Sequence, residues 1–481
     1  MNNMKKTKII CTMGPAVNDR GLIKKLAESG MDIARFNFSH GSHEEHKGRM
    51  DMIKSIREEI GRPIAILLDT KGPEIRTGLL KGGNKVTLVE GQTFTLTTEE
   101  IEGDEKKVSI TYEDLADDVE IGKRILIDDG LIELEVKNIV GGDVICQVIN
   151  GGELGQRKGV NVPNVPVRLP ALTEKDKEDI RFGVEQGVDF IAASFVRSAE
   201  GILAIKALLK ECKAPYIPII AKIENGEGIK NIDEILHCAD GIMVARGDLG
   251  VEIPAQELPY LQKWLIQKCN EAYKPVITAT QMLDSMMRNP RPTRAEVTDV
   301  ANAVFDGTDA VMLSGETANG KYPVEALNMM VEIVKNAEEH LDYEAIMKNM
   351  KMQRRKSVAS AIGYASVTTS VHMNAKCIIT PTASGSTARV VSKFKPKALI
   401  IGASPNDDAL RRMQIFRGVY PVKSIPYETT EDVFDGSIQL VKVKGLAEIG
   451  DVVIVTAGIP SVAVKHANEG MSNMMRIAIV E

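Results

Sequence analysis

The sequence predicts an α/β fold: a (β/α)8 barrel with a small all-β domain inserted in it and a second, parallel α/β domain toward the C-terminal end. Three observations predict this. Eight short apolar runs alternate with amphipathic stretches of helical period. One long interval between them turns to Gly, Val, Thr and Ile with a period of two. The pattern then changes again near residue 345.

The apolar runs are Lys8–Cys11, Asp32–Phe38, Ile64–Leu68, Phe190–Ala193, Ile217–Ile223, Gly241–Ala245, Val276–Ala279 and Ala310–Leu313. Strands apolar along their whole length suit a parallel sheet covered on both faces. Asp19–Ser29, Glu44–Ile60, Lys175–Gln186 and Glu257–Ala272 carry helical periodicity. Eightfold alternation of this kind predicts a barrel. The interval Gly72–Leu169 reads differently. Lys85–Leu88 and Leu131–Val136 alternate, and Gly82-Gly83-Asn84, Asp128-Asp129-Gly130 and Gly141-Gly142-Asp143 are turn signals. This predicts a small β domain over 71–170, inserted after the third strand. Residues 1–70 and 171–345 then form a barrel of about the usual 250 residues. Beyond it, a helix over Lys356–His372 and runs at Ala375–Thr380, Ala398–Gly402, Val452–Thr456 and Arg476–Val480 predict a further α/β domain over 346–481.

Composition narrows the function. Of 481 residues 26% are charged and the net charge is −6, which argues against a nucleic-acid binder with its basic stripe. The six cysteines are scattered with no CxxC pair, so neither a zinc site nor a disulfide framework is expected. No run approaches the ~18 apolar residues of a membrane span. Met1–Lys6 lacks the apolar core of a signal peptide, so a cytoplasmic location is expected.

In such a barrel the active site lies at the C-terminal ends of the strands. Those ends read Arg35–His40, Asp69-Thr70-Lys71, Lys222–Asn225, Arg246-Gly247-Asp248, Thr278–Gln281 and Ser314-Gly315-Glu316. Glu224 and Asp248, on neighbouring strands, offer two hard carboxylates to a Mg2+ or Mn2+ ion. Arg35 and Lys222 supply positive charge for phosphate oxygens. Gly247 lets backbone amides approach an anion, and Thr280 places a hydroxyl for proton transfer. Taken singly, Glu224 and Asp248 fit a helix cap and a surface carboxylate equally well. Thr280 alone is ordinary strand composition. Asn37, Ser39 and Thr70 alone read as caps. Together, on neighbouring ends beside Lys222, the carboxylates favour a site. His40, His43 and His46 suggest a metal cluster, but Ser39–Lys47 reads better as a capped helix start with solvent-facing histidines.

These segments, in this order, resemble pyruvate kinase. The resemblance rests on Arg35–Gly41, Leu68–Gly78, Ile220–Asn225, Met243–Gly250, Thr278–Leu283, Asn289–Glu296 and Met312–Thr317, and it covers essentially the whole chain. It implies transfer of the phosphoryl group of phosphoenolpyruvate to ADP, giving pyruvate and ATP. It also implies a homotetramer, and a bacterial-type chain without the extra C-terminal domain that some members carry. By resemblance, Glu224 and Asp248 hold the divalent cation, Lys222 lies against the transferring phosphoryl group and enolate oxygen, and Arg35 binds the phosphate. Thr280 lies on the proton path, directly or through water. The backbone of Ala245, Arg246, Gly247 and Asp248 takes the substrate carboxylate. Asn37, Ser39, Asp69 and Thr70 hold K+, Arg76 lies near the phosphates, and His40 and Lys158 contact the nucleotide. The family's K+-independent members place a lysine where Glu74 stands, so this chain is expected to need K+.

Two other readings remain open at this point. One is a metal-dependent lyase of the aldolase type, which would need neither the inserted domain with Lys158 nor Lys222. The other is a regulatory protein without catalysis, against which the full set Arg35, Lys222, Glu224, Asp248 and Thr280 argues. Finally, Thr380–Arg389 joins a predicted strand to a predicted helix. Thr382, Ser384, Ser386 and Thr387 surround Gly385 there, more hydroxyls than a cap needs, which predicts an effector phosphate site. The loop resembles that of sugar-phosphate-activated pyruvate kinases. No basic partner for a second phosphate stands out, so fructose 1,6-bisphosphate, a sugar monophosphate and AMP are all left open. Such an effector would lower half-saturation for phosphoenolpyruvate more than it raises maximal rate.

Overall fold

A computed structural model describes residues 4–349, 357–458 and 472–481. Eight strands, β1 (Lys8–Thr12), β2 (Ile33–Asn37), β3 (Ala65–Asp69), β4 (Phe190–Ala193), β5 (Ile219–Ile223), β6 (Gly241–Ala245), β7 (Val276–Ala279) and β8 (Ala310–Leu313), close in chain order into a parallel barrel. Alternation along each strand divides its side chains between two cores. Ile10, Ile33, Leu67, Phe190, Ile220, Met243, Ile277 and Met312 fill the interior. Ile9, Cys11, Ala34, Phe36, Ile66, Leu68 and Ala221 face the surrounding helices. The helices start at side-chain caps. Asp19 accepts from the Leu22 amide, and Ser42, Thr173 and Thr293 form capping boxes with Glu45, Asp176 and Glu296.

The segment between β3 and β4 forms a seven-stranded sheet running from Ile75–Arg76 to Gly159–Asn161. In its strand Ile132–Val140, Ile132, Leu134 and Val136 are buried while Glu133 and Glu135 lie between them on the outer face. The turn before it holds Asp128, Asp129 and Gly130 all at positive φ, as a tight reversal of Asx and Gly residues requires. The two ends of this sheet meet. Thr77 bridges Ile110, and the Thr111 amide donates to the Arg76 carbonyl at 2.9 Å, so the sheet curls toward closure.

The C-terminal unit is a five-stranded sheet of β9 (Cys377–Pro381), β10 (Leu399–Ser404), β11 (Val419–Lys423), β12 (Val452–Ala457) and β13 (Met474–Ile479), ordered β11-β10-β9-β12-β13. The first four are parallel, and β13 runs antiparallel at the edge. This unit seals the N-terminal mouth of the barrel. Ile415 packs into the barrel interior, and Lys8 Nζ donates to the Val419 carbonyl at 2.7 Å. No helix among the described residues is long and apolar enough to cross a membrane.

Candidate active site

The period of two that fills the barrel interior also builds the site above it. The residue two positions beyond an interior side chain is the next to point inward, now at the open end of the barrel. Ile33 is followed by Arg35, Leu67 by Asp69, Ala192 by Ser194, Ile220 by Lys222, and Ile10 by Thr12. These side chains join across neighbouring strands. Arg35 Nε donates to Asp69 Oδ2 at 2.6 Å, and its Nη1 donates to Thr12 Oγ1 at 2.9 Å. Lys222 Nζ reaches Asp69 Oδ1 at 3.1 Å, Ser194 Oγ at 2.7 Å and Glu224 Oε1 at 2.9 Å. The amide of Phe195 donates to Glu224 Oε2 at 2.5 Å.

This network lies out of water, and its charges answer to one another. Burial opposes the charge on Asp69, but Arg35 and Lys222 outweigh it and hold the carboxyl below its ordinary range. Burial likewise opposes the ammonium of Lys222, yet Asp69 and Glu224 hold it above its ordinary range. Glu224 goes the other way. Burial, helped by Asp248 and opposed by Lys222, lifts its carboxyl from 4.5 to about 7. Asp248 is also raised, by burial first, with Lys222 opposing and Asp129 of the insert adding to it. Two carboxylates that resist ionisation side by side form a site that gains from a cation. Among the described residues no group of three or more His, Cys, Asp or Glu converges on one point. A divalent ion here would therefore take two protein oxygens and complete its shell from substrate and water, which fits Mg2+ chemistry.

A cavity of about 570 Å³ opens over this network, lined by Arg35, Asn37, His40, Lys222, Glu224, Ala245, Asp248 and Thr280 among others. A second cleft of about 530 Å³ lies between barrel and insert, where Arg76 and Lys158 meet Arg197, Asp129 and Asp248. Asp248 borders both. In that cleft Arg76 pairs with Glu74 at 2.6 Å and Lys158 with Asp128 at 2.8 Å, and Asn161 of the insert donates to Glu252 at 2.8 Å. Gly247 sits behind Thr280, where an added Cβ would come within 2.8 Å of Thr280 Cγ2. The guanidinium of Arg246 turns away from the cavity. It donates to the carbonyls of Ala279 at 3.2 Å and Thr280 at 2.7 Å and pairs with Asp299 at 2.7 Å.

The four expected K+ ligands are only partly assembled. Asn37 and Asp69 are cross-strand neighbours, but Asn37 Oδ1 accepts from the Ser39 amide and both Asp69 oxygens are engaged. Thr70 Oγ1 accepts from the Ser194 amide at 3.1 Å. Ser194 was missed by the sequence reading, although it follows Ala192 by the same period of two. The histidines need a correction. The capped helix start at Ser42 is present, His40 is exposed and His43 is partly exposed, but His46 does not face solvent. His46 is buried and stacked on Phe38, with a ring nitrogen 2.8 Å from the His40 carbonyl. His43 is half-buried, stacks on Phe182 and reaches Asp179 at 2.6 Å. In the C-terminal unit, Gly385 has φ 89° at the start of the helix Ser386–Ser392, as an L side chain rarely could. Thr382 Oγ1 accepts from the Gly385 amide and Thr387 bonds Ser472, while exposed Ser384 bonds Ser386.

Comparison with known proteins agrees with this architecture. The family pattern described as pyruvate kinase, barrel domain, matches residues 4–327, and the pyruvate kinase alpha/beta domain matches residues 360–478. The chain is 50% identical over 478 residues to a pyruvate kinase of Geobacillus stearothermophilus, covering 99% of this chain and 80% of that protein. It is 48% identical over 479 residues to one of Clostridium acetobutylicum, covering 99% and 100%. It is 50% identical to one of Staphylococcus aureus, covering 99% and 81%. With its closed eight-stranded barrel, its C-terminal α/β unit and identity near one half along almost its whole length, the chain belongs to the pyruvate kinase family of phosphotransferases.

Proposed function

We propose that the cavity at the C-terminal ends of the barrel strands carries the family's reaction, moving the phosphoryl group of phosphoenolpyruvate onto ADP to give pyruvate and ATP, the closing step of glycolysis. The observation that supports this site best is Lys222, a buried ammonium held between Asp69, Ser194 and Glu224 at the cavity floor. Phosphoryl transfer asks the protein chiefly for position and charge. Arg35, braced by Asp69 and Thr12, faces the phosphate. Lys222 stabilises the oxygens as the phosphoryl group leaves the enolate. Glu224 and Asp248 hold Mg2+ or Mn2+, which when bound neutralises phosphoryl and substrate oxygens. The backbone from Ala245 to Asp248 takes the substrate carboxylate, and Thr280, or a water beside it, delivers the proton to carbon.

His40 and Lys158 contact the nucleotide, and Arg76 lies near the phosphates and assists the transfer. In this reading residues 71–170 act as a lid over a barrel of 1–70 and 171–345, shutting water out of the transfer. Asn37, Ser39, Asp69 and Thr70 take K+, with Asp69 shared between that ion and its two basic partners. Residues 346–481 are regulatory. Thr382, Ser384, Gly385, Ser386 and Thr387 receive an effector phosphate, with Ser384 and Ser386 the hydroxyls not given to another segment among the described residues. The active form is a homotetramer in the cytoplasm.

The test is Lys222→Met. Turnover should fall by about 10³-fold or more, because the lost charge acts most strongly in the transition state. Mn2+ affinity, read separately, should stay within about threefold of the parent. A variant that kept near-normal turnover would remove Lys222 from the chemistry.

A further inference from the structure

A third cavity, of about 700 Å³, lies between the N-terminal end of the barrel and the C-terminal unit. It takes no part in the site described above. Three basic residues of the C-terminal unit, Lys393, Lys395 and Arg417, line it beside the aromatic rings of Tyr273 and Phe394. Arg417 is 2% exposed, yet its Nε and Nη2 have no hydrogen-bond partner among the described residues. Those two nitrogens form one edge of the guanidinium fork, the edge that grips two oxygens of an anion. A buried guanidinium left in this state costs free energy unless something fills the edge.

The neighbouring carboxylates do not fill it. Buried Asp309 gives one oxygen to Lys393 and to the Val276 amide, and its other oxygen has no hydrogen-bond partner among the described residues. Asp306 pairs with Lys263, Glu271 accepts from Gln267, and Asp342 accepts from the Ala345 amide. Lys395 spends one proton on the Gly307 carbonyl at 2.8 Å and holds its own backbone at φ 45°. Burial, with Arg417 and Lys393 adding and Asp309 opposing, brings its ammonium down to about 7. What stays unmatched among the described residues is therefore the Nε and Nη2 edge of Arg417.

We infer that this cavity binds a small phosphorylated anion, with Arg417 Nε and Nη2 taking two of its oxygens, Lys395 a third, and the organic part lying against Tyr273 and Phe394. The volume admits a sugar phosphate or a nucleoside monophosphate. The site is separate from the Ser384 loop. It touches the segments that feed β7 and β8, whose far ends carry Thr280 and Ser314.

The test uses inorganic phosphate and the full chain. In a Ser384→Glu background, which closes the effector loop to anions, the melting temperature should rise saturably with phosphate. Adding Arg417→Met should weaken that response by at least about tenfold in phosphate concentration. Anions at the active site contribute equally to both variants. An unchanged response would overturn the inference. Should Arg417→Met fail to fold, crystals of the parent chain soaked in selenate decide the matter. An anomalous peak within hydrogen-bond distance of Arg417 Nε and Nη2 supports the site, and an empty cavity beside an occupied active site rejects it.

Discussion

Glu224 carries its opposite partner and its like-charged neighbour on the same carboxyl group, and burial decides between them. Because its pKa is lifted from 4.5 to about 7, the folded chain retains a proton that the unfolded chain releases across that window. The cation-free protein should therefore lose stability as pH rises from about 5 to 7.5, by an amount on the order of 1–3 kcal/mol. Glu224→Gln should flatten that part of the slope, and so should saturating Mg2+, since a metal-bound carboxylate no longer takes the proton. Melting curves in chelator, with and without Mg2+, measure it, and equal slopes in parent and variant would exclude the assignment. At this scale most of the site was legible. Arg35, Asp69, Lys222, Glu224 and Asp248 stand out because charged residues ending apolar runs have few other reasons to be there. Their pairing was not legible, because it depends on which strands adjoin. Ser194 escaped notice because a serine after Ala192-Ala193 looks ordinary until the inward register of β4 is known.

The turn after β7 shows how an element can hold a residue in place. Thr280 and Gln281 sit at φ 75° and 54°, two successive side-chain-bearing residues in the left-handed region, each at a cost of about 1–2 kcal/mol. The guanidinium of Arg246, at the head of the helix Arg246–Glu252, pins the carbonyls of Ala279 and Thr280. Arg246→Met should let this turn relax and lower kcat by about 10–100-fold, with KM for phosphoenolpyruvate changing less. Steady-state kinetics would show it, and an unaltered kcat would mean that the turn holds without the clamp. Elements with a clear period were readable in the sequence, and the barrel strands are the best case. The strand β11 was not read, because Pro421 interrupts its pattern. The proline is tolerated there because β11 lies at the edge of its sheet. The burial of His46 was readable in principle, since it shares a helical face with Arg49, Met50 and Ile53.

Across the whole molecule, the barrel is closed at one end by the C-terminal unit and faces the insert at the other. The joint below depends on Lys393 and Asp309, paired at 2.5 Å with both side chains 1% exposed. Lys393→Met should strand the Asp309 charge and cost about 3–5 kcal/mol in denaturant unfolding. Lys423→Met, which breaks the exposed pair with Asp407, should cost less than about 1 kcal/mol. Equal losses in the two variants would show that the buried pair is not what joins the units. The order of these three parts could be read from changes of texture along the chain. The joint itself could not, since Lys393 and Asp309 lie far apart in sequence and neither belongs to a motif.

The insert leaves the barrel after β3 and returns before β4, two strands that pair directly. Ser194 Oγ donates to the Thr70 carbonyl at 2.6 Å, and a Cβ on Gly72 would stand 2.8 Å from Ser194 Cβ. The pivot of the insert is thus fastened to the same serine that receives Lys222. Any swing of that domain would pull on a point one hydrogen bond from the Lys222 ammonium, so mechanical leverage and the cavity floor meet at a single hydroxyl. Changes of length far out in the insert should pass with little effect on turnover, while a change of one residue at either attachment would be transmitted directly to Lys222.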